Sequence, residues 1–216
     1  SDPHAGLPDA TQYDALPLAE VDLDLYDPSL EALEVDDALE MAREAESVAA
    51  QQDARITNSE GGDISWGSSR SYLANSLGVF HERRGGSISL WTTPIAEQDG
   101  AMQRDYWYTW ARHRNDLMSP EAVGKKAAER TLRRLNAVKP DTCQLPIIFE
   151  APMASRLLGS LGGAISGGAI YRKASYLCDK LGEQITAEGV TIVDNPHIAR
   201  GPASRLYDGE GLATQP

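Results

Sequence analysis

Four histidines, His4, His81, His113 and His197, are the first residues to test for chemistry, and all four are isolated. The run His81-Glu82-Arg83-Arg84-Gly85 begins like a zincin helix, but glycine stands where the second imidazole belongs. Two histidines four residues apart are needed to present both ligands on one helix face, so this metal site fails. The run also lies among β-like residues, and a surface turn is the expected reading. His197 follows Asp194-Asn195-Pro196, a turn with a carboxylate nearby and no second imidazole. The nucleophile search is equally empty. No serine sits in a G-x-S-x-G elbow. Cys178 lies between Leu177 and Leu181 on a helical pattern, and both it and Cys143 are expected to be core residues. No pair of acids stands out as an acid/base couple. No catalytic and no metal-ligating residue is assigned.

The run Gly159-Ser160-Leu161-Gly162-Gly163-Ala164-Ile165-Ser166-Gly167-Gly168 carries the strongest local signal. It fits neither G-x-G-x-x-G nor the P-loop spacing. Two readings stay open. The glycines let a helix pack closely against another backbone, or they line a surface that a ligand or peptide approaches closely. Tyr171, Arg172 and Lys173 follow directly. The two cations could hold a carboxylate or simply end a helix in solvent. Tyr106, Trp107, Tyr108 and Trp110 alternate along a strand-like segment, with core packing on one face and an exposed groove on the other equally open.

Composition limits the partners. The 216 residues carry 20 Lys+Arg against 32 Asp+Glu, a formal charge of −12. A binder of nucleic acid by general phosphate attraction needs a basic excess, and anionic lipid would repel this surface. Hydrophobic residues make up 41%, enough for a core. The longest apolar stretch, Leu157 to Tyr171, is too short and too glycine-rich to span a bilayer. Residues 1–30 lack the basic start and apolar run of a signal peptide. Two separated cysteines fit a reducing cytoplasm.

The elements that must position these residues read as follows. Residues 1–33, dotted with proline and aspartate, read as a linker or arm. Val35, Leu39, Ala42, Ala45, Val48 and Ala49 recur at helical spacing over 35–51, with Asp36 and Asp37 in the first turn. Asn58-Ser59-Glu60-Gly61-Gly62 reads as a turn. Short strands are expected at 72–74, 78–80, 87–93 and 106–110 in an antiparallel sheet. Ser119-Pro120-Glu121 starts a helix whose buried face is Val123, Ala127, Ala128, Leu132 and Leu135, with Lys125, Arg130 and Arg133 solvated. Leu145–Glu150 and Val190–Val193 read as strands, and 153–182 as one glycine-interrupted helix or two. The last fifteen residues are loop-like.

Several strings in order carry more than any one of them. These are Arg55–Gly62, Arg104–Tyr108 with Arg112, Arg130–Leu135, Pro146–Pro152 running into Leu157–Gly168, Tyr171–Ser175, Leu181-Gly182 and Thr191–His197. The succession, from about Asp22 onward, resembles the TldD/PmbA metallopeptidase family, in its PmbA (TldE) branch. The resemblance implies a subunit of a cytoplasmic metallopeptidase. In that family a TldD-type chain carries an H-E-x-x-x-H helix that binds a zinc-type metal, and a PmbA/TldE-type chain pairs with it to degrade or process unfolded peptides. Set against that helix, Gly159 and Ala164 fall where the two histidines belong, and Ser160 where the glutamate belongs. None of the three can ligate zinc or act as base. The implied assignment is a chain that binds no cofactor, works with a TldD-like partner, and lines the shared cavity with Gly159, Gly162, Gly163, Gly167, Gly168, Tyr171, Arg172 and Lys173. A non-enzymatic binding or scaffold protein is the alternative.

The expected fold class is α+β. Residues 1–21 are a linker or the tail of a missing N-terminal domain. Residues 22–138 form a central domain of helices on an antiparallel sheet. Residues 141–216 are the truncated start of a second α+β domain, since members of the family look about twice as long. In hydrogen exchange, the region after Asp141 should therefore be weakly protected; uniform strong protection there would count against truncation.

Overall fold

A computed structural model describes Pro8, Ala10–Ala15 and Pro17–Pro216. His4 lies outside the described residues. Helix α1 (Ala10–Ala15) falls within the segment read as a linker, and a 3-10 turn covers Pro28–Leu30. Then come helix α2 (Val35–Gln51), strands β1 (Ile56–Ala74), β2 (Phe80–Gln98), β3 (Ala101–Arg104) and β4 (Trp107–Ala111), and helix α3 (Pro120–Leu132). Helices α4 (Ala151–Ile165) and α5 (Gly167–Tyr171) follow. The chain is α+β, with a four-stranded antiparallel sheet packed against helices.

The chain divides into two compact units. One is Ser1–Val138 with Asp194–Pro216, and the other is Lys139–Val193. The tail from Asp194 therefore groups with the central residues.

The sheet differs from the short strands expected. β1 and β2 form one hairpin of two 19-residue strands, paired from Ile56↔Ala96 to Ala74↔Phe80. The Asn58–Gly62 cluster is no turn. It is a bulge between Ser59 and Gly62, with Gly61 at φ 107°, a conformation open chiefly to glycine. The hairpin turns instead at Asn75–Val79, where the Asn75 side-chain oxygen accepts from Leu77 N and Val79 N. The second edge of β2 pairs with β4 over Ile88–Thr92 and with β3 over Ile95–Gln98.

Alternation along β2 turns Ile88, Leu90, Thr92, Pro94 and Ala96 inward. Helix α2 lies over this face through Ala38, Ala42, Ala45 and Ala49, spaced four, three and four apart. Each apolar cluster of the core contains at least one of these alanines. Val35 and Leu39 were expected on the buried face. Both are exposed, Val35 by 68%, because the stripe that fits the sheet is the narrow alanine one.

Helix α3 starts as its sequence predicts, with Ser119 Oγ accepting from Ala122 N at 3.2 Å and Pro120 in the first turn. Val123, Ala127, Ala128 and Leu135 are buried as expected, and Leu132 packs against them. Arg130 is not solvated. Its side chain is 12% exposed, lies 3.5 Å from the Asp105 carboxylate, and sits over the Trp107 ring.

The expected strands at 145–150 and 190–193 are absent among the described residues. A strand exists by pairing, and neither apolar run meets another strand. Cys143 is exposed and Cys178 half-buried, so neither is a core residue.

Two glycines set the helix packing. A Cβ at Gly62 would drive into the Ala42 carbonyl oxygen. One at Gly124 would strike the Ala45 carbonyl and come within 3.0 Å of Val48 Cβ. Gly124→Val should therefore push α3 off α2 and destabilise the fold by about 1–3 kcal/mol, read as a lower denaturation midpoint at unchanged slope.

Candidate functional site

The glycine-rich segment lies on α4 and α5. Helix α4 starts at Ala151 with Pro152 in its first turn, and ends at Ser166. Ser166 makes the break: its hydroxyl accepts from Ala169 N at 3.3 Å, capping α5, while it contacts the Gly163 carbonyl at 2.9 Å. The sequence left one helix or two open, and this cap decides for two. After Tyr171 the chain turns through Lys173 at φ 54°, with Lys173 N donating to Ile170 O and Ala174 N to Ala169 O. Ser175 Oγ donates to Ala164 O at 2.6 Å and fastens this turn back to the end of α4.

Gly159, Gly162, Gly163, Gly167, Gly168, Tyr171, Arg172 and Lys173 are all exposed. Beyond the local helix backbone, no described atom lies within 4 Å of a Cβ built at Gly159, Gly162, Gly163 or Gly167. At Gly168 the nearest neighbour is the Arg172 guanidinium, at 3.4 Å. Tyr171, Arg172 and Lys173 thus follow the glycines on one short helix end and the turn after it. The rest of α4 is apolar yet holds no buried residue. Leu157, Leu158 and Ile165 are each more than half exposed.

The residues here do not fit a metal. Positions 159–164 supply glycine, serine, leucine and alanine, none of which is an imidazole, thiolate or carboxylate ligand. The half-buried Cys178 lies with its sulfur 3.9 Å from the Ile170 carbonyl. Among the described residues, no three His, Cys, Asp or Glu side chains converge.

The described histidines have structural partners. His81 sits in strand β2 rather than in a surface turn. Its Nε2 is 3.0 Å from the Gly211 carbonyl and its ring stacks on Tyr207. His113 Nε2 contacts the Asp24 carbonyl at 2.9 Å and its carboxylate at 3.1 Å. His197 Nε2 lies 3.2 Å from Thr214 Oγ1. Arg112 has a related job that the sequence alone did not reveal. It donates to Gly86 O at 3.0 Å, Pro202 O at 2.6 Å and Gly201 O at 3.4 Å, tying the tail to the hairpin.

Asp27 is buried and caps the 3-10 turn. It accepts from Ser29 N and Arg114 N, both at 2.8 Å. Burial alone would raise its pKa. The bonds from Arg114 and Ser29 outweigh burial and hold the carboxyl below the usual value. On the aromatic strand, Tyr106, Tyr108 and Trp110 are exposed, whereas Trp107 turns toward the core.

Two family models cover most of the chain. Residues 28–135 match the PmbA/TldA metallopeptidase central domain and residues 142–216 the PmbA/TldA metallopeptidase C-terminal domain. The chain is 42% identical to the metalloprotease PmbA of Escherichia coli, over 99% of this chain and 46% of that one. A crystal structure from Bacteroides thetaiotaomicron, solved under the provisional description of a DNA gyrase modulator, superposes with a TM-score of 0.89 at 31% identity, over 97% of this chain and 47% of that one. TldE of Thermococcus kodakarensis shares the fold, with a TM-score of 0.74 at 18% identity over 100% of this chain and 47% of that one. The chain spans about half the length of the curated relatives it matches. On the two model matches and the relatives together, the chain belongs to the PmbA/TldD metallopeptidase family.

Proposed function

We infer that this chain is part of a PmbA/TldE-type subunit that binds no metal itself. It works in the cytoplasm with a TldD-type partner, and the pair cleaves unfolded peptides. The observation that carries this reading is the composition of Gly159–Ala164. In a chain of a metallopeptidase family, an exposed helix at this place carries no side chain able to ligate zinc or activate water. The catalytic metal then belongs to another chain. The open, glycine-lined side of α4, continued by Tyr171, Arg172 and Lys173, lines the shared cavity. Small residues there admit a peptide backbone, and the two cations attract its carboxylates. Among the described residues, no helix is long and apolar enough to cross a membrane.

The test uses the complete protein with and without a TldD-type partner. Peptide cleavage is expected only from the mixture, and elemental analysis should find no stoichiometric zinc on the PmbA-type subunit alone. Tight zinc on that subunit would overturn the assignment.

A second test separates the two roles open to the glycines. Beyond its own helix backbone, alanine at Gly162 or Gly163 meets no atom of the described residues, so each substitution should stabilise α4 by up to about 1 kcal/mol through helix propensity. Cleavage by the pair should nevertheless fall, because the added methyl groups intrude on the peptide's side of the helix. Full activity in the double variant would remove these glycines from the cavity wall.

A further inference from the structure

A basic cavity lies within the unit formed by the hairpin and the tail. It measures about 370 Å³. Its walls include Arg83 and Arg84 of β2, Arg112 after β4, and Arg205 of the tail, together with Ser69 and Ser87 on the facing strands. No carboxylate lines it among the described residues. In a chain of net charge −12, a hollow lined by four arginines and no acid is a local reversal of the overall field, although strand alternation sends the Arg83 and Arg84 side chains to opposite faces of β2 and Arg84 to Glu31.

The partners of these arginines show how much charge is left over. Arg84 pairs with Glu31 at 3.1 Å and lies over the Tyr26 ring. Arg112 spends its donors on the three carbonyls of Gly86, Gly201 and Pro202, which accept hydrogen bonds but carry no net charge. Arg83 and Arg205 make no side-chain hydrogen bond or ion pair among the described residues. Nearby acids are engaged elsewhere: Glu82 with Arg70 at 3.1 Å, and Asp24 with Arg200 at 2.6 Å. Burial lowers the pKa of Arg112, and the like charge of Arg83 lowers it further, so these two cations lie close enough to repel. The hydroxyls of Ser69 and Ser87 add two donors with no partner of their own among the described residues.

We propose that this cavity, between strand β2 and the tail at Pro202–Arg205, binds a small polyanion bearing two or more phosphate or carboxylate groups. Arg83 and Arg205 are its charged contacts, and Ser69 and Ser87 its neutral donors. Arg112 supplies positive potential from behind while it holds the tail in place. The volume suits a ligand larger than one oxyanion, and guanidinium forks match the planar pairs of oxygens on either group. Binding bridges β2 and the tail, so it also stabilises the tail against local opening.

The test is calorimetric titration of the complete protein at low ionic strength, with pyrophosphate and with citrate as probes. Saturable one-to-one binding of at least one probe is expected, weakening as salt rises. Binding of pyrophosphate alone identifies a phosphate ligand, of citrate alone a carboxylate one. R83Q combined with R205Q should weaken binding by about tenfold or more, since charge-assisted bonds are lost. R133Q, a control on an exposed arginine outside the cavity, should leave it within about twofold. Ser69→Glu, which puts an acid in the wall and leaves every arginine in place, should abolish binding even if the double variant folds poorly. Failure of both probes to bind, or equal binding by wild type and Ser69→Glu, overturns the proposal.

Discussion

Helix α2 packs closely on both β1 and α3 because two positions carry no side chain. Gly62 on the sheet and Gly124 on α3 leave room for the carbonyl oxygens of Ala42 and Ala45. The alanines at 38, 42, 45 and 49 then thread all three apolar clusters, from Leu30 and Ile88 at one end to Ile56 and Leu135 at the other. A larger side chain along this line would separate helix from sheet, and the packing that defines the core would be lost. The rest of the central unit is built outward from that approach. Thr131 on α3 contacts the carbonyls of Pro94 and Asp105, and accepts from Asp105 N, so the helix also fixes the chain between β3 and β4.

The hairpin extends beyond the helices that cover it. Among the described strands, β2 from Phe80 to Ser87 pairs only with β1; Leu25 O accepts from Gly86 N at 2.8 Å on the other edge, and the tail reaches His81 through Gly211 O. Arg112, His81 and Arg200 each join segments far apart in sequence. This end of the unit is therefore held by directional bonds rather than by a wide apolar interface. That explains why it contains a polar cavity instead of a core.

The unit from Lys139 to Val193 is organised differently. Helices α4 and α5 are joined by the Ser166 cap and the Ser175 bond, yet no residue in the unit is buried. An apolar helix in this state keeps its local hydrogen bonds but gains little from burial. Such a surface is suited to contact with another body.

Local chemistry was legible in the sequence. The start of α3 at Ser119-Pro120, its buried row, and the lack of a ligand set around Gly159–Ala164 all follow from residue type at short spacing, which no distant contact alters. Strand limits were not legible. Arg83–Gly86 is polar and glycine-rich, and it is strand only because Ser68–Ser71 pairs with it. Leu145–Phe149 is apolar and is no strand, because no described segment pairs with it. The inward face of α2 was misjudged at Val35 and Leu39 for a related reason: hydrophobicity ranked them above alanine, but the distance between helix and sheet selects small side chains. The roles of Arg112 and His81 lie 89 and 130 residues from the carbonyls they hold. By itself the sequence determined which groups the chain possesses and how they are spaced along it. Only the tertiary structure decided which strands pair, which face is buried and which cations meet, because these depend on partners distant along the chain.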